Sequence, residues 1–419
     1  MYKNKYISKN VAQETYKKPI NIFYKTSKKL YPHFIDFILE EATTRYGRNA
    51  VYNGGLRIFT SIDAQMQNFA QNIVTNEIAS LKRYKVQNGA SLVTKNKTGE
   101  ILAMVGSKNY YDISIDGFVN LTTALRQPGS SIKPFNYSLA FNTWLSPTTI
   151  LEDTPVTYSV KGSKPWSPKN YDNTYRGKVT ASFALANSLN IPSVKVLNKN
   201  GIENFVEYVK KFGIDSWNND YYGLSLALGA AEVQMTQMAG AYSTFANEGV
   251  FVPINPILYT LNNTGDVIDF NECIYSYLDF DKNNTNHSIN KVKCGKEATS
   301  KENAYIIKSI LSNNNLRSSA FGFNSVLNVA GTAVKTGTTN NLRDNWTFGF
   351  NNEYMVSSWV GNNDNTPMSS IASGITGASP IWAKIIKNVT KPSNYLDLTR
   401  IPSNMVKVEI CAATNTLAC

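Results

Sequence analysis

Apolar residues recur along the first part of the chain at two spacings, one typical of helices and one typical of strands. Residues 33–46 carry them every three to four positions, which predicts an amphipathic helix, and a second such helix is predicted from about Asp63. Between the two, residues 56–60 alternate as a strand does. Residues 90–94 and 101–105 flank a turn that contains glycine, so they predict a β-hairpin.

The pattern changes again further along the chain. From about 120 to 250 the spacing is mainly helical, whereas residues 261–303 are polar with apolar islands and are interpreted as a surface excursion. Three strand-like runs and then a helix at about 380–390 follow; the runs are 332–338, 346–350 and 354–360. This order of hairpin, helical block, strands and helix predicts an α+β fold with a central antiparallel sheet flanked by helices.

The composition is that of a folded globular protein. Of 419 residues, 42% are hydrophobic and 17% are charged, which excludes wholesale disorder, collagen and coiled coil. No run approaches the length of a transmembrane helix, and the N-terminus MYKNKYISKN lacks the apolar segment of a secretory signal. Two histidines make a Ser-His-Asp triad hard to build, and no Cys-x-x-Cys pair suggests zinc. Cys273 with Cys294, or Cys411 with Cys419, could form disulfides in an oxidising compartment, with free thiols as the alternative.

The net charge of +12 suggests nucleic acid, an anionic membrane or an acidic substrate, but it is unevenly distributed. Residues 1–30 contain eight lysines against one acid, Glu14, so this arm carries +7 and the other 389 residues only +5. The arm is interpreted as a solvated flexible segment, with contact to an anionic membrane or to another domain as the alternative. No arginine-rich or aromatic-interleaved module accompanies the lysines, so nucleic acid is not an expected partner.

The clearest chemical signal is the stretch RQPGSSIKP at residues 126–134. Pro-Gly ends an extended segment and an apolar helical pattern follows, so Ser130 is predicted at a helix N-terminus, which favours a developing negative charge. Lys133 then lies on the same helix face, and a desolvated lysine near another cation can act as base for a serine. Ser-x-x-Lys alone is weak, because it recurs at Ser288–Lys291, and a capped helix with a solvated lysine is the alternative.

Two further short motifs follow. Ser188 and Asn190 form Ser-x-Asn within ALANSLNIPSVKV, for which a turn between helices is the alternative interpretation. Lys335-Thr336-Gly337-Thr338 lies on a predicted strand. Glycine on an edge strand lets a substrate peptide approach and pair there, and the lysine and the threonine hydroxyls suit a terminal carboxylate. The same tripeptide at Lys97-Thr98-Gly99 falls in the predicted hairpin turn, where turn chemistry explains it better.

Together the three motifs occur in the order used by penicillin-recognising serine enzymes, and the chain resembles the transpeptidase domain of class A penicillin-binding proteins. The resemblance runs from about residue 31 to 390. It is also carried by the stretches NGGLRIFTSID, NKTGEILAMVG, RQPGSSIKPFNY, NYDNTYRGKVTASFALANSLNIPSVKV, GLSLALGAAEVQMTQMAGAYSTFANEGVFVPI and KTGTTNNLRDNWTFGF. It implies a β-lactamase-like fold and a D,D-transpeptidase that cross-links peptidoglycan, takes stem peptides and β-lactams as ligands, and needs no metal or organic cofactor.

The resemblance also implies a role for each motif residue. Ser130 is expected to attack the carbonyl between the two terminal D-alanines of a stem pentapeptide, with Lys133 as its base. Ser188 is expected to pass a proton to the leaving D-alanine, and Asn190 to hold the substrate backbone. Lys335, Thr336 and Thr338 are expected to bind the terminal carboxylate and to tune the field around Ser188, with Gly337 in the same substrate-binding strand. The backbone N–H groups of Ser130 and Thr338 are expected to form the oxyanion hole.

Four segments are predicted: a basic arm (1–30), a linker module (31–86), the transpeptidase domain (87–395) and a C-terminal tail (396–419). Class A proteins begin with a membrane helix and a glycosyltransferase domain, and neither is recognised in this sequence. We therefore expect a fragment, one half of a split gene or a stand-alone remnant, with a separate or missing glycosyltransferase or membrane domain as partner. The intact family is periplasmic and associated with the inner membrane.

Other functions of the same nucleophile stay open at this point. A D,D-carboxypeptidase or β-lactamase would resolve the acyl-enzyme with water, but the Glu-x-x-Leu-Asn segment that positions water in class A β-lactamases is missing. A β-lactam or muropeptide receptor, or an inactive remnant, would keep the serine and the lysine without turnover.

Overall fold

The computed structural model describes residues 1–17, 29–159, 162, 164–217, 222–274, 294–369 and 376–411. The helices are α1 (Lys9–Lys17), α2 (Pro32–Tyr46), α3 (Arg48–Asn53), α4 (Ala64–Leu81), α5 (Lys133–Phe141), α6 (Ala181–Ala186), α7 (Asn190–Asn200), α8 (Ile202–Lys210), α9 (Met235–Ala246), α10 (Lys301–Ser312), α11 (Asn314–Phe321) and α12 (Ala378–Val389). The strands are β1 (Arg57–Thr60), β2 (Asn88–Lys95), β3 (Ile101–Val105), β4 (Ile150–Asp153), β5 (Gly177–Thr180), β6 (Val250–Phe251), β7 (Ile257–Leu261), β8 (Val267–Phe270), β9 (Lys296–Glu297), β10 (Ala333–Thr338), β11 (Asp344–Phe350) and β12 (Tyr354–Gly361).

Local sequence signals account for where several of these elements begin. The Asp63 side chain accepts a hydrogen bond of 2.8 Å from the Met66 backbone N–H and so caps α4, as its position before the apolar pattern predicts. Ser300 caps α10 in the same way. The predicted helical block contains α5 to α9, but it also contains the short antiparallel pair of β4 and β5, which the spacing did not predict.

A five-stranded antiparallel sheet, counted over the described part of the chain, lies at the centre of the fold. Its strand order is β10-β11-β12-β2-β3, so the predicted hairpin and the three predicted strand-like runs all belong to it. Lys335 lies opposite Phe348 and Gly337 opposite Trp346. The prediction of a central antiparallel sheet flanked by helices is confirmed, and β10 forms one edge of that sheet.

The sheet is buried on both faces. Because side chains alternate along a strand, Leu92 packs into one apolar cluster and Val93 into the other. The first cluster contains Phe135 of α5 and other residues of the helical block, and the second contains Trp382 of α12 together with residues of α4. The motif strand thus lies between two apolar cores at one edge of the sheet.

A smaller sheet joins two distant parts of the sequence. Its order is β1-β7-β8, so the strand of the predicted linker module pairs with residues some 200 positions later. Strand β8 falls in the stretch interpreted as a surface excursion, and Cys273 and Cys294 form a disulfide there. Residues 275–293 of that excursion, and Cys419, lie outside the described residues.

The N-terminal segments differ in how they contact the core. Helix α1 buries none of its side chains, whereas α2 buries His33, Phe34, Ile38 and Ala42. The His33 Nε2 atom lies 3.0 Å from the Ser107 hydroxyl, and burial lowers the pKa of His33 to about 4. Within the described ranges, none of the helices has both the length and the apolar character needed to cross a bilayer.

Candidate active site

The Ser-x-x-Lys motif lies where a 3₁₀ turn, Gly129–Ile132, runs into α5. Ser131 is fully buried, donates a hydrogen bond of 2.7 Å to the Pro128 carbonyl and accepts one of 2.5 Å at its own carbonyl from the Tyr242 hydroxyl. Ser130 is half-buried, and none of the described residues hydrogen-bonds its hydroxyl. Of two adjacent serines, one therefore fixes the turn and the other has an unengaged hydroxyl.

Glycines bring this turn into backbone contact with β10. A Cβ atom on Gly129, whose φ is +56°, would lie 2.6 Å from the Thr338 carbonyl oxygen, and one on Gly337 would lie 2.3 Å from the Pro128 carbonyl oxygen. Both distances are too short for any side chain. Gly337 was interpreted as room for a substrate strand, but in the structure it accommodates the chain's own turn. The contact sets the Thr338 backbone beside Ser130.

Lys133 is fully buried one helical turn after Ser130. Its Nζ donates hydrogen bonds of 2.6 Å to the Ser188 carbonyl and 2.7 Å to Asn190 Oδ1. Burial, and then repulsion from Lys335, hold the pKa of Lys133 well below its ordinary value. A neutral amine has two N–H bonds and one lone pair. The two shorter contacts would occupy both N–H bonds of this neutral form and leave its lone pair unused, and Ser188 Oγ lies 3.5 Å from the same Nζ.

The Ser-x-Asn motif connects α6 to α7 in a strained backbone conformation. Ser188 has a φ of 59°, in the left-handed region that residues with a Cβ rarely adopt. Asn190 begins α7, and its Nδ2 donates a hydrogen bond of 2.7 Å to the Lys169 carbonyl. Asn190 is therefore fixed between Lys169 and Lys133. Strain of this kind is retained at functional sites when surrounding contacts enforce it.

Lys335 also contacts Ser188. Its Nζ donates hydrogen bonds of 2.8 Å to Ser188 Oγ and 2.8 Å to the Thr336 carbonyl. Lys335 is only 3% exposed. Burial, and then the nearby charge of Arg317, lower the pKa of Lys335 to about 7. When Lys335 is charged it has a third N–H, which these two contacts leave available for an anion.

The motifs meet around a cavity of about 470 Å³. Five of the residues predicted for the site line it: Ser130, Ser188, Asn190, Thr336 and Thr338. Lys133 and Lys335 lie behind this lining and reach it through Ser188, and Gly337 lies against the turn. The structure thus brings together residues from three separate parts of the sequence.

Some residues around the cavity were not predicted. Tyr171, which is exposed, and Phe321 add aromatic surface to the lining. Asn170 binds the Asn190 backbone N–H at 2.8 Å and is itself fixed by Asp153. Asn170 and Tyr171 fall in the quoted stretch NYDNTYRGKVT, which was the available signal. Arg317 and Phe321 lie outside all the stretches that carry the family resemblance, so no sequence signal pointed to them.

The second Lys-Thr-Gly tripeptide does not line this cavity. Lys97 is exposed in the turn between β2 and β3, and Thr98 donates a hydrogen bond of 2.6 Å to Glu100. The match at Ser288–Lys291 lies outside the described residues. Among the residues that are described, no group of three or more histidine, cysteine or acidic side chains could hold a metal ion.

A family model described as "Penicillin binding protein transpeptidase domain" matches residues 89–376, which is more than half of the chain. The chain therefore belongs to the penicillin-binding protein transpeptidase family. This match covers all the motif residues of the cavity.

Two relatives have similar degrees of identity. Penicillin-binding protein 1A of Rickettsia felis is 30% identical over 346 residues, which are 81% of this chain and 42% of that protein. Penicillin-binding protein 1B of Vibrio cholerae is 30% identical over 362 residues, 85% of this chain and 43% of that protein. The chain thus spans less than half the length of these two relatives.

Solved structures show the same fold. Penicillin-Binding Protein 1A from Haemophilus influenzae matches with a TM-score of 0.78 at 22% identity, over 99% of this chain and 78% of that one. The PonA1 protein from Mycobacterium tuberculosis, in complex with penicillin V, matches with a TM-score of 0.70 at 19% identity, over 89% of this chain and 96% of that one. The expected fold of penicillin-recognising serine enzymes is confirmed.

Proposed function

We propose that the chain is a peptidoglycan D,D-transpeptidase domain whose nucleophile is Ser130. The observation that carries the proposal is the hydrogen bonding of Lys133. With both N–H bonds of the neutral amine engaged by Ser188 and Asn190, its lone pair is the acceptor for the Ser130 proton. The unengaged Ser130 hydroxyl, one helical turn away at the cavity, supports this assignment.

In the acylation step, Ser130 Oγ bonds to the carbonyl carbon of the penultimate D-alanine while its proton passes to Lys133 Nζ. The carbonyl oxygen becomes an oxyanion, which the backbone N–H groups of Ser130 and Thr338 bind. The close contact between the turn and β10 supports this pairing. A single donor of this kind typically contributes about 3–4 kcal/mol to transition-state stabilisation.

Departure of the terminal D-alanine needs a proton at its nitrogen. Ser188 Oγ accepts a hydrogen bond from Lys335, so its own proton is free to be donated to the leaving amine, and Lys133 returns the proton it took to Ser188. The C–N bond breaks and D-alanine leaves as a neutral amine. The third N–H of charged Lys335, with the hydroxyls of Thr336 and Thr338, binds the substrate's terminal carboxylate.

An amine of a neighbouring stem peptide then attacks the ester on Ser130. Its nitrogen forms the new amide bond and loses a proton to the site, and Ser130 Oγ regains a proton as the ester bond breaks. A β-lactam acylates the same serine through its ring amide. PonA1, which shares the fold, was solved in complex with penicillin V, and this supports extending β-lactam binding to the present chain.

The wider organisation belongs to the same proposal. Residues 1–30 form a basic arm, 31–86 a linker module, 87–395 the transpeptidase domain and 396–419 a tail. The chain matches only 42% and 43% of two penicillin-binding proteins, which supports a glycosyltransferase or membrane domain as partner. Since cross-linking takes place on peptidoglycan, the domain acts in the periplasm.

Labelling with a fluorescent penicillin tests the nucleophile. We expect Ser130→Ala to abolish covalent labelling and Ser131→Ala to retain it, although the latter loses a buried hydrogen bond that contributes about 1 kcal/mol to stability. Mass spectrometry of the labelled peptide identifies the modified serine. Labelling that survives in Ser130→Ala contradicts the assignment.

A second measurement tests the reaction. The purified protein is incubated with a D-Ala-D-Ala pentapeptide donor and an amine acceptor, and the products are separated by chromatography. The proposal predicts a cross-linked dimer with release of D-alanine. Acylation without dimer indicates a receptor, and release of D-alanine without dimer indicates a carboxypeptidase.

A further inference from the structure

Arg317 is a buried cation close to the site that the proposed mechanism does not use. It lies on α11 and is 4% exposed. Its guanidinium donates hydrogen bonds to the carbonyls of Leu311 at 2.9 Å, Ser312 at 3.3 Å and Val334 at 3.4 Å. No carboxylate of the described residues lies within 4.0 Å of it. Its Nε is buried and has no hydrogen-bond partner within the described ranges.

Burying a charge without an opposite charge is costly, and backbone carbonyls compensate for only part of the lost hydration. Burial alone lowers the pKa of Arg317 to about 10, so it stays charged at neutral pH. An apolar side chain would avoid that cost but would leave the carbonyls of Leu311, Ser312 and Val334 without this donor. A neutral amide could donate to the same carbonyls, so hydrogen bonding alone does not account for the positive charge.

The position of Arg317 relative to β10 supplies that explanation. The carbonyl it binds belongs to Val334, the residue immediately before Lys335. Two residues further on, the Thr336 carbonyl accepts a hydrogen bond from Lys335 itself. Because residues two apart direct their carbonyls to the same side of a strand, the two cations occupy one side of β10.

Arg317, Lys335 and Lys133 are coupled electrostatically in that order. Burial is the larger cause of both shifts; in addition, the positive charge of Arg317 lowers the pKa of Lys335, and Lys335 lowers the pKa of Lys133. Charged groups on the other elements that contact β10 are directed elsewhere. On β11, Asp344 binds Trp359 and lies 3.8 Å from Arg126. On α10, Lys308 lies in the fields of Glu248 and Asp397.

We propose that Arg317 is a positioning residue that acts through Lys335. Its fixed charge opposes protonation of Lys335 in the empty site, and its hydrogen bond to Val334 holds the strand that carries Lys335. A substrate carboxylate adds the missing negative charge, so Lys335 becomes fully protonated only when the substrate is bound. This inference rests on the proposed function, because it takes the carboxylate of the stem peptide as the ligand of Lys335.

The test is the pH profile of the second-order acylation rate with a fluorescent penicillin, which reports ionisations of the free protein. Charged Lys335 is needed to bind the carboxylate, so the wild-type rate falls as pH rises through about 7. Arg317→Gln removes the repulsion but keeps an amide donor for the carbonyls. In Arg317→Gln we expect this alkaline limb, the fall of the acylation rate with rising pH, to move to higher pH. In Arg317→Lys, which keeps the positive charge, we expect the alkaline limb to stay at the wild-type pH.

Arg57→Gln, an exposed position on β1, is the matched control for loss of one positive charge and is expected to leave the profile unchanged. Circular dichroism and thermal melting establish that each variant is folded. A uniform loss of rate in Arg317→Gln, with an unmoved limb, overturns the proposal and assigns Arg317 a purely structural role. Failure of Arg317→Gln to fold, while Arg317→Lys folds, assigns it the same structural role.

Failure of the proposed function gives a different result from failure of this inference. If Ser130 is not acylated in the wild type, the proposed function fails and this inference fails with it. If the wild type is acylated at Ser130 and only the shift of the limb is missing, the proposed function stands and the role of Arg317 is wrong.

Discussion

The tripeptide Lys-Thr-Gly occurs twice in this chain, and the two copies lie in different environments. At 335–337 it is on an edge strand of the central sheet, where its lysine is 3% exposed and contacts Ser188. At 97–99 it is a hairpin turn with an exposed lysine. In both copies a Cβ on the glycine would meet a backbone carbonyl, that of Pro128 for Gly337 and that of Pro253 for Gly99.

The difference shows which part of the motif depends on its surroundings. In both copies glycine permits a close backbone contact, so glycine alone does not distinguish a site from a turn. The lysine does, because desolvation and the charge of Arg317 lower the pKa of Lys335 to about 7, and the Ser188 hydroxyl lies within reach. The lowered pKa of the lysine in this motif therefore depends on the parts of the fold that pack against the strand.

Replacing the two lysines gives the largest expected contrast. Lys335→Met removes the cation proposed to bind the carboxylate and the hydrogen bond to Ser188, so we expect the acylation rate to fall roughly 1000-fold. Lys97→Met is expected to stay within a few-fold of wild type. Stopped-flow or gel-based labelling with a fluorescent penicillin measures both. A large loss in Lys97→Met would show that the exposed copy had been wrongly dismissed.

Substitution of the two glycines by alanine is expected to have different effects, one on activity and the other on stability. In Gly337→Ala the new methyl group would lie 2.3 Å from the Pro128 carbonyl, so the turn carrying Ser130 must shift, and acylation falls by roughly 100-fold. In Gly99→Ala the methyl group would clash with the Pro253 carbonyl, and alanine would be strained at a φ of +71°. We therefore expect stability, rather than the acylation rate, to fall. Rates per folded molecule, with thermal melts of both variants, separate these effects. Equal rate losses would mean that the turn tolerates movement.

The smallest expected effect is on stability, and it has the opposite sign from the effect on activity. The folded pKa of Lys335, about 7, lies below its ordinary value of 10.5, so charging this lysine costs free energy in the folded state. The cost is fully present below about pH 7 and disappears as pH rises towards 10.5. The pKa difference corresponds to a charging cost of about 5 kcal/mol, and Lys335→Met loses two hydrogen bonds, to Ser188 and Thr336, of about 1.5 kcal/mol each. This variant never charges and is therefore expected to be about 2 kcal/mol more stable than wild type near neutral pH.

Chemical denaturation across this pH range measures that difference. The advantage of Lys335→Met should shrink as pH rises, whereas Lys97→Met should match the wild type throughout. An advantage that does not change with pH would indicate improved apolar packing as its source.

The strands of the central sheet were predictable, and the smaller sheet was not. The run predicted at 332–338 is observed as Ala333–Thr338, because alternation and β-branched residues are local signals. Strand β1 was predicted as well, but its partner Ile257–Leu261 lies far along the chain. No local pattern specifies which distant strand completes a sheet.

The site was predictable as far as side-chain chemistry forms short motifs. Spacing and resemblance together singled out Ser130, Lys133, Ser188 and Lys335, and the structure brings them together. Arg317 was missed because its partners are backbone carbonyls, which every residue has and which leave no trace in the sequence. The role of Gly337 was interpreted differently because its neighbour, Pro128, belongs to another part of the chain.

The position of β10 at the sheet edge has a consequence for solubility. An open edge offers unpaired carbonyls and N–H groups to the edge of a second molecule, which is a common start of aggregation. Here the carbonyls of Val334 and Thr336 are bonded to cationic side chains, and charge at a strand edge disfavours such pairing. Arg317 and Lys335 thus also disfavour edge-to-edge pairing of two copies along this strand.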